Sequence, residues 1–103
     1  MTTKTLDRED LKFLRALAHA LKPVVRLGQN GLTEAVTHEL DGALTRHELV
    51  KVKLAAEGKA ACRAQAEALA EAVGAAVVQR IGHTATLYRA HPERPRIELG
   101  GRR

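Results

Sequence analysis

The stretch Leu21-Lys22-Pro23-Val24-Val25-Arg26-Leu27-Gly28-Gln29-Asn30-Gly31-Leu32-Thr33-Glu34 narrows the possible folds more than any other part of the chain. In order, it predicts the end of a helix, a short buried strand, a Gly-x-x-Gly loop and the start of a second helix. Pro23 cannot continue a helix, and the stretch from Val24 to Leu27, opened by the β-branched pair Val24-Val25, favours a strand. Gly28 and Gly31 permit positive φ and let a ligand approach backbone that carries no Cβ. The helix expected from near Leu32 turns its first amides toward that loop. These amides lack intrahelical acceptors and sit at the positive end of the macrodipole, which makes a place for an anion such as phosphate. A tight strand-to-helix turn without any ligand uses the same residues, so the surrounding sequence must decide.

On either side, the hydrophobic spacing completes the layout. Leu11, Leu14, Leu17, Ala18 and Leu21 recur at helical intervals, giving a first helix from about Asp7, its N-cap, to Leu21. Leu32, Val36, Leu40 and Leu44, with Ala43, form the stripe of a second helix ending near Arg46 or His47. From Glu48 to Ala55 the period is two, so Val50, Val52 and Leu54 face one side while Lys51 and Lys53 face the other. Lys59 to Val73 reads as a third helix with Cys62, Ala66, Leu69, Ala70 and Val73 inward, closed by Gly74. Ala76 to Ile81 and Thr84 to Ala90 read as strands joined at Gly82-His83.

The expected fold is therefore α/β: a single two-layer domain in αβαβαββ order, with a four-stranded mixed sheet and three helices on one face. A right-handed crossover makes the first two strands parallel. The other face of the sheet is then open. Should Thr84, Thr86 and Tyr88 point the same way as Lys51 and Lys53, that face combines cations with one stackable ring. Arg80 and Arg89 fall near its rim. The domain is expected over residues 1–91, followed by a basic tail over 92–103.

Charge points the same way. Residues 1–78 carry 11 basic and 10 acidic side chains, whereas residues 79–103 carry 6 basic and 2 acidic. A cationic excess gathered at one end favours a polyanionic partner, nucleic acid or an anionic surface, through counterion release or surface potential. No apolar run reaches the roughly 18 to 20 residues of a spanning helix, and Asp7, Glu9 and Asp10 interrupt any secretory core. With its single cysteine, Cys62, the chain suits a reducing cytoplasm, and no internal disulfide is possible.

Catalytic constellations are harder to find. His19, His38, His47, His83 and His91 show no paired ligand spacing, so no metal or other cofactor is expected. Cys62 lies mid-helix among alanines with no base beside it, and the Gly-x-x-Gly lacks the Gly-Lys-Ser/Thr of a P-loop. Binding needs only charge, backbone donors and shape. The expected contacts are Lys22, Gly28, Gln29, Asn30, Gly31, Lys51, Lys53, Arg80, Tyr88 and Arg89. Phe13 and Tyr88 are the only aromatic side chains, so base stacking as on a four-stranded RNA-recognition sheet is excluded and backbone recognition is favoured. An enzyme using the loop as a cradle for a small phosphorylated ligand, and a protein-interaction module whose charge serves solubility, are the alternatives.

The blocks Leu21-Lys22-Pro23-Val24-Val25, Leu27-Gly28-x-Asn30-Gly31-Leu32-Thr33-Glu34, His47-Glu48-Leu49-Val50-Lys51-Val52-Lys53, Gly74-Ala75 and Ile81-Gly82-x-Thr84 followed by Leu87-Tyr88-Arg89 occur in this order over residues 7–90. Together they resemble the bacterial YhbY-type proteins, the stand-alone form of the CRM (chloroplast RNA splicing and ribosome maturation) domain. The resemblance implies a fold similar to the C-terminal domain of translation initiation factor three, and a non-catalytic protein that binds ribosomal RNA in precursors of the large subunit. It also likens Gly28, Gln29, Asn30 and Gly31 to the KH-domain loop that clamps a nucleic-acid backbone, with Lys22, Lys51, Lys53 and Arg89 as basic neighbours. One departure is His83, where relatives carry Lys, which removes a fixed positive charge from that position. A monomer is expected, because the three helices leave no apolar stripe uncovered.

Overall fold

A computed structural model describes residues 6–97. Its elements are α1 (Arg8–Ala18), β1 (Pro23–Arg26), α2 (Glu34–His47), β2 (Leu49–Lys53), α3 (Lys59–Val73), β3 (Ala76–Ile81) and β4 (Thr84–Tyr88). The αβαβαββ order and the four-stranded mixed sheet match the sequence reading. Strand order is β1-β2-β4-β3, with β1 parallel to β2 and the other pairs antiparallel.

Local chemistry sets the element ends. Asp7 and Asp10 form a reciprocal capping box, the Asp10 amide donating to Asp7 Oδ1 at 2.8 Å. Helix α1 stops at Ala18, three residues before the expected Leu21, because Pro23 disfavours helical backbone at Lys22 and removes the donor of the next turn. Helix α2 begins at Glu34 rather than near Leu32: Thr33 is its N-cap, with Oγ1 accepting the Val36 amide at 3.2 Å. Gly74 ends α3 in the left-handed region, and the Ala75 amide donates to the Ala70 carbonyl at 2.8 Å.

The helices do not share one face, which corrects the expected arrangement. Helices α2 and α3 cover the side formed by Val25, Val50, Val52, Ala85 and Leu87, and the main core lies there, with Leu40, Leu44 and Leu69 fully buried. Helix α1 packs on the opposite side, where Leu14 and Ala18 meet Leu49, Val78 and Tyr88. The cause is visible in β2. Leu49 precedes Val50 and so points away from the main core, and across the ladder it faces Tyr88. Val77 packs on the main core opposite Leu87, so the next residue, Val78, points to the same side as Leu49, and the register irregularity between Val77 and Gln79 keeps Gln79, opposite Thr86, on that side as well. These apolar side chains need cover, and α1 supplies it at one end of the sheet. Cys62 is buried in the main core as expected, its Sγ 3.3 Å from the Ala56 carbonyl oxygen.

The segment after β4 is bound to the domain as far as it is described. Glu48, the C-cap of α2, has φ of +64° and a fully buried side chain. Its carboxylate accepts the backbone amides of His91 (2.6 Å), Arg96 (2.9 Å) and Ile97 (2.8 Å), and its carbonyl accepts that of Arg89 (2.9 Å). Three charge-assisted bonds compensate a carboxylate that could not otherwise be kept out of water.

Candidate nucleic-acid interface

Two rows of side chains cross the half of the sheet that α1 leaves uncovered. In one row Pro23, Lys51, Thr86 and Gln79 are successive partners from β1 to β3. In the next, Arg26, Lys53, Thr84 and Ile81 are partners, and Arg26, Lys53 and Ile81 are exposed. Lys51 is half-buried and Thr86 fully so. Sequence reasoning missed Arg26. Its signal lay in the alternation of Val25 and Leu27, both buried, which leaves Arg26 facing outward beside Lys53.

The second row leads directly into the Gly-x-x-Gly loop. The Leu27 amide donates to the Lys53 carbonyl (3.0 Å) and the Leu54 amide to that of His83 (2.6 Å), so the loop, the end of β2 and the Gly82-His83 hairpin occupy one end of the sheet. Within the loop the Gly31 amide donates to the Gly28 carbonyl at 3.0 Å, leaving Gln29 and Asn30 at an exposed tip. Only Gly31 of the pair has positive φ, +65°, contrary to the expectation for Gly28. An added Cβ on Gly31 would stand 3.2 Å from Nε2 of Gln65, whereas one on Gly28 would meet nothing within 4 Å. Gln65, on α3, accepts the amides of Ala55 (2.9 Å) and Ala56 (3.1 Å) through Oε1, so this side chain braces the β2–α3 connection next to the loop.

The α2 N-terminus is less open to an anion than its position suggests. Thr33 occupies the Val36 amide, and Glu34 sets a carboxylate in the first turn, leaving the amides of Glu34 and Ala35 ahead of any intrahelical acceptor.

Several expected contacts lie elsewhere. Tyr88 is 3 % exposed beneath α1, and burial, then the Glu48 and Asp10 carboxylates, push its phenol above its usual range; it is not available for stacking. Arg80 pairs with Ala85 and so points to the α3 side, where it borders Arg63 and Glu67, its Nη1 donating to the Gly82 carbonyl at 2.8 Å. The Arg89 guanidinium is bound on the helix side: Nη1 donates to Asp41 Oδ1 (2.6 Å) and the Val73 carbonyl (2.8 Å), and Nη2 to the Asp41 carbonyl and Thr45 Oγ1, both at 3.0 Å. Lys22 stands beyond β1, in a cleft beneath α1 that it shares with Lys51 and His47. The sheet thus brings together Arg26, Lys51, Lys53 and the loop, and separates Arg80, Tyr88 and Arg89 from them.

A cationic row ending in a solvent-exposed turn can hold successive phosphates of an extended polyanion. Among the described residues no three His, Cys, Asp or Glu side chains are placed to hold a metal ion, and no helix is long and apolar enough to cross a membrane.

The chain is similar to known proteins. Residues 6–89 match the CRS1 / YhbY (CRM) domain. A Haemophilus influenzae protein named "RNA-binding protein" is 46 % identical over 86 % of this chain and 90 % of its own length. A Bacillus subtilis protein, "Probable RNA-binding protein YqeI", is 34 % identical over 91 % and 98 % respectively. The solution structure of SAV1595 from Staphylococcus aureus superimposes with a TM-score of 0.81 at 33 % identity, covering 92 % of this chain and 99 % of that one.

Proposed function

This chain belongs to the CRS1 / YhbY (CRM) domain family, and from that premise we propose that it is a non-catalytic RNA-binding protein of the cytoplasm that associates, as a monomer, with precursors of the large ribosomal subunit. The observation that carries the RNA reading is the register of β1 and β2. It sets Arg26 beside Lys53 on the exposed face, immediately before the Gly28–Gly31 turn. Phosphates of a strand lying along that row meet the two cations first and then the backbone of the turn. Recognition of this kind reads shape and backbone charge, with little base specificity of its own. The names of the H. influenzae and B. subtilis relatives support RNA as the ligand class, and the likeness of residues 7–90 to YhbY-type proteins supports a large-subunit precursor as its source.

Two measurements test this reading. With Arg26→Ala plus Lys53→Ala, RNA affinity falls and the slope of log K against log salt decreases by roughly 0.7 to 0.9 for each phosphate that the variant no longer neutralises. An unchanged slope in the folded variant refutes the interface. Sedimentation of the tagged protein through a sucrose gradient, with sequencing of crosslinked RNA, is expected to place it with particles near the large subunit. Recovery wholly at the top at low salt, with no enriched RNA, refutes the assembly role.

A further inference from the structure

Three of the five large apolar side chains exposed among the described residues gather in one place. Leu17 (40 % exposed), Leu21 (38 %) and Val24 (55 %) line a cleft of about 450 Å³ between the end of α1 and the edge strand β1. Lys22 and Lys51 stand at the same cleft. That volume lies within the roughly 300 to 1,000 Å³ of small-molecule sites, and apolar walls with a few placed cations are the usual make-up of such sites. Water gains little from wetting those walls, so an occupant with a flat apolar body and a negative charge at its edge fits the chemistry.

We propose that this cleft receives an unpaired base of the bound RNA, with the flanking phosphate on Lys22 and Lys51. The inference rests on the RNA reading above and extends it from backbone contact to a place for a base. Continuity favours this occupant over an acidic peptide. Lys51 borders both the cleft and the shallow depression with Gln79, Thr84 and Thr86 on the open face, next to the Arg26 and Lys53 row. Val24 is separated from the loop at Gly28 by about 13 Å of strand, so one single-stranded segment can reach both. The walls are aliphatic, so the base is held by burial and shape, without ring stacking, and discrimination among bases is weak. A duplex keeps its bases stacked and offers none to the cleft.

Methyl and amide NMR of the whole protein tests this directly, using three probes: a short single-stranded oligoadenylate, an abasic ribose-phosphate chain of the same length, and an RNA duplex. The expected result is that the Leu17, Leu21 and Val24 methyl signals shift with the oligoadenylate alone, while the Gln29, Asn30 and Gly31 amides shift with all three. Loop amides that respond while the methyls stay still overturn the base cleft and leave the RNA reading standing. Methyls that respond equally to the abasic chain or the duplex also overturn it. Silence at both places with every probe removes the RNA reading itself, and the cleft with it. As an independent check, Val24→Gln places an uncharged polar side chain in the cleft at an exposed position. It is expected to weaken oligoadenylate binding about tenfold or more and to leave duplex binding unchanged. Equal affinity of the folded variant for oligoadenylate contradicts the proposal.

Discussion

The Glu48 carboxylate accepts the Ile97 amide at 2.8 Å, joining the end of α2 to a residue 49 positions further along the chain. The same side chain holds His91 and Arg96 by their amides, with no exposure to solvent. Glu48→Gln keeps the shape but turns one acceptor into a donor facing backbone N–H groups. A loss of about 2 to 3 kcal/mol is expected, since bonds to a charged group and an orphaned buried donor both fall in that range. Urea unfolding measures it, and a loss well below 1 kcal/mol would show that these amides find water instead.

Tyr88 ties stability to alkaline pH. Its phenol is raised above 10.0 by burial and by Glu48 and Asp10, so the folded state holds this proton more tightly than the unfolded chain does. The stability it contributes is complete below pH 10.0 and is lost as pH rises through the folded value. Ultraviolet titration of the phenolate is expected to show ionisation later than in a free tyrosine, or only with unfolding. Tyr88→Phe is expected to flatten the decline of stability above that pH, and an identical decline in both proteins would exclude Tyr88 as its source.

The two glycines of the loop answer differently to alanine. Gly31→Ala strains a residue at φ of +65° and crowds Gln65, with an expected cost of about 1 to 2 kcal/mol. Gly28→Ala meets open space at an ordinary φ, so stability is expected to stay within about 0.5 kcal/mol. A Gly28→Ala protein that is stable yet binds RNA more weakly identifies a contact in which the ligand approaches the Cα; undiminished binding argues against that approach.

Arg89 is expected to act on stability and not on RNA. Its guanidinium joins Asp41, Thr45 and the end of α3, and its side chain is 21 % exposed while that of Asp41 is 57 % exposed. After allowance for solvent screening, Arg89→Ala is expected to cost about 1 to 2 kcal/mol, and Lys is a poor substitute because it cannot reach several acceptors with a planar fork. RNA affinity of the folded Arg89→Ala protein should match that of the parent. A specific loss of affinity would return Arg89 to the interface.

Local signals carried most of the fold. Pro23, Gly74 and the period-two run through Val50 and Val52 each act on their own neighbourhood, and the elements they imply are present. The side on which α1 packs depended on longer-range facts. Leu49 had to be recognised as a second apolar phase in the same strand, and the adjacent Val77 and Val78 serve opposite faces of the sheet, so an apolar run in β3 did not mark which of its residues α1 would cover. The same limit governed the site. Lys53 and the loop could be placed from adjacent residues, whereas Arg26 became their neighbour through strand register. Tyr88 and Arg89 looked available because a cation or a ring in sequence carries no mark of the partner that will bury or bind it.

Gln65 changes how the loop meets a ligand. It holds Ala55 and Ala56 by hydrogen bonds and stands next to Gly31, so α3 fixes the connection beside the turn and limits what side chain the turn can carry at Gly31. For a polyanion approaching this end of the sheet, the field of Arg26 and Lys53 is expected to raise the association rate, an effect that drops as salt rises, while the lifetime of the complex depends on the contacts made after arrival.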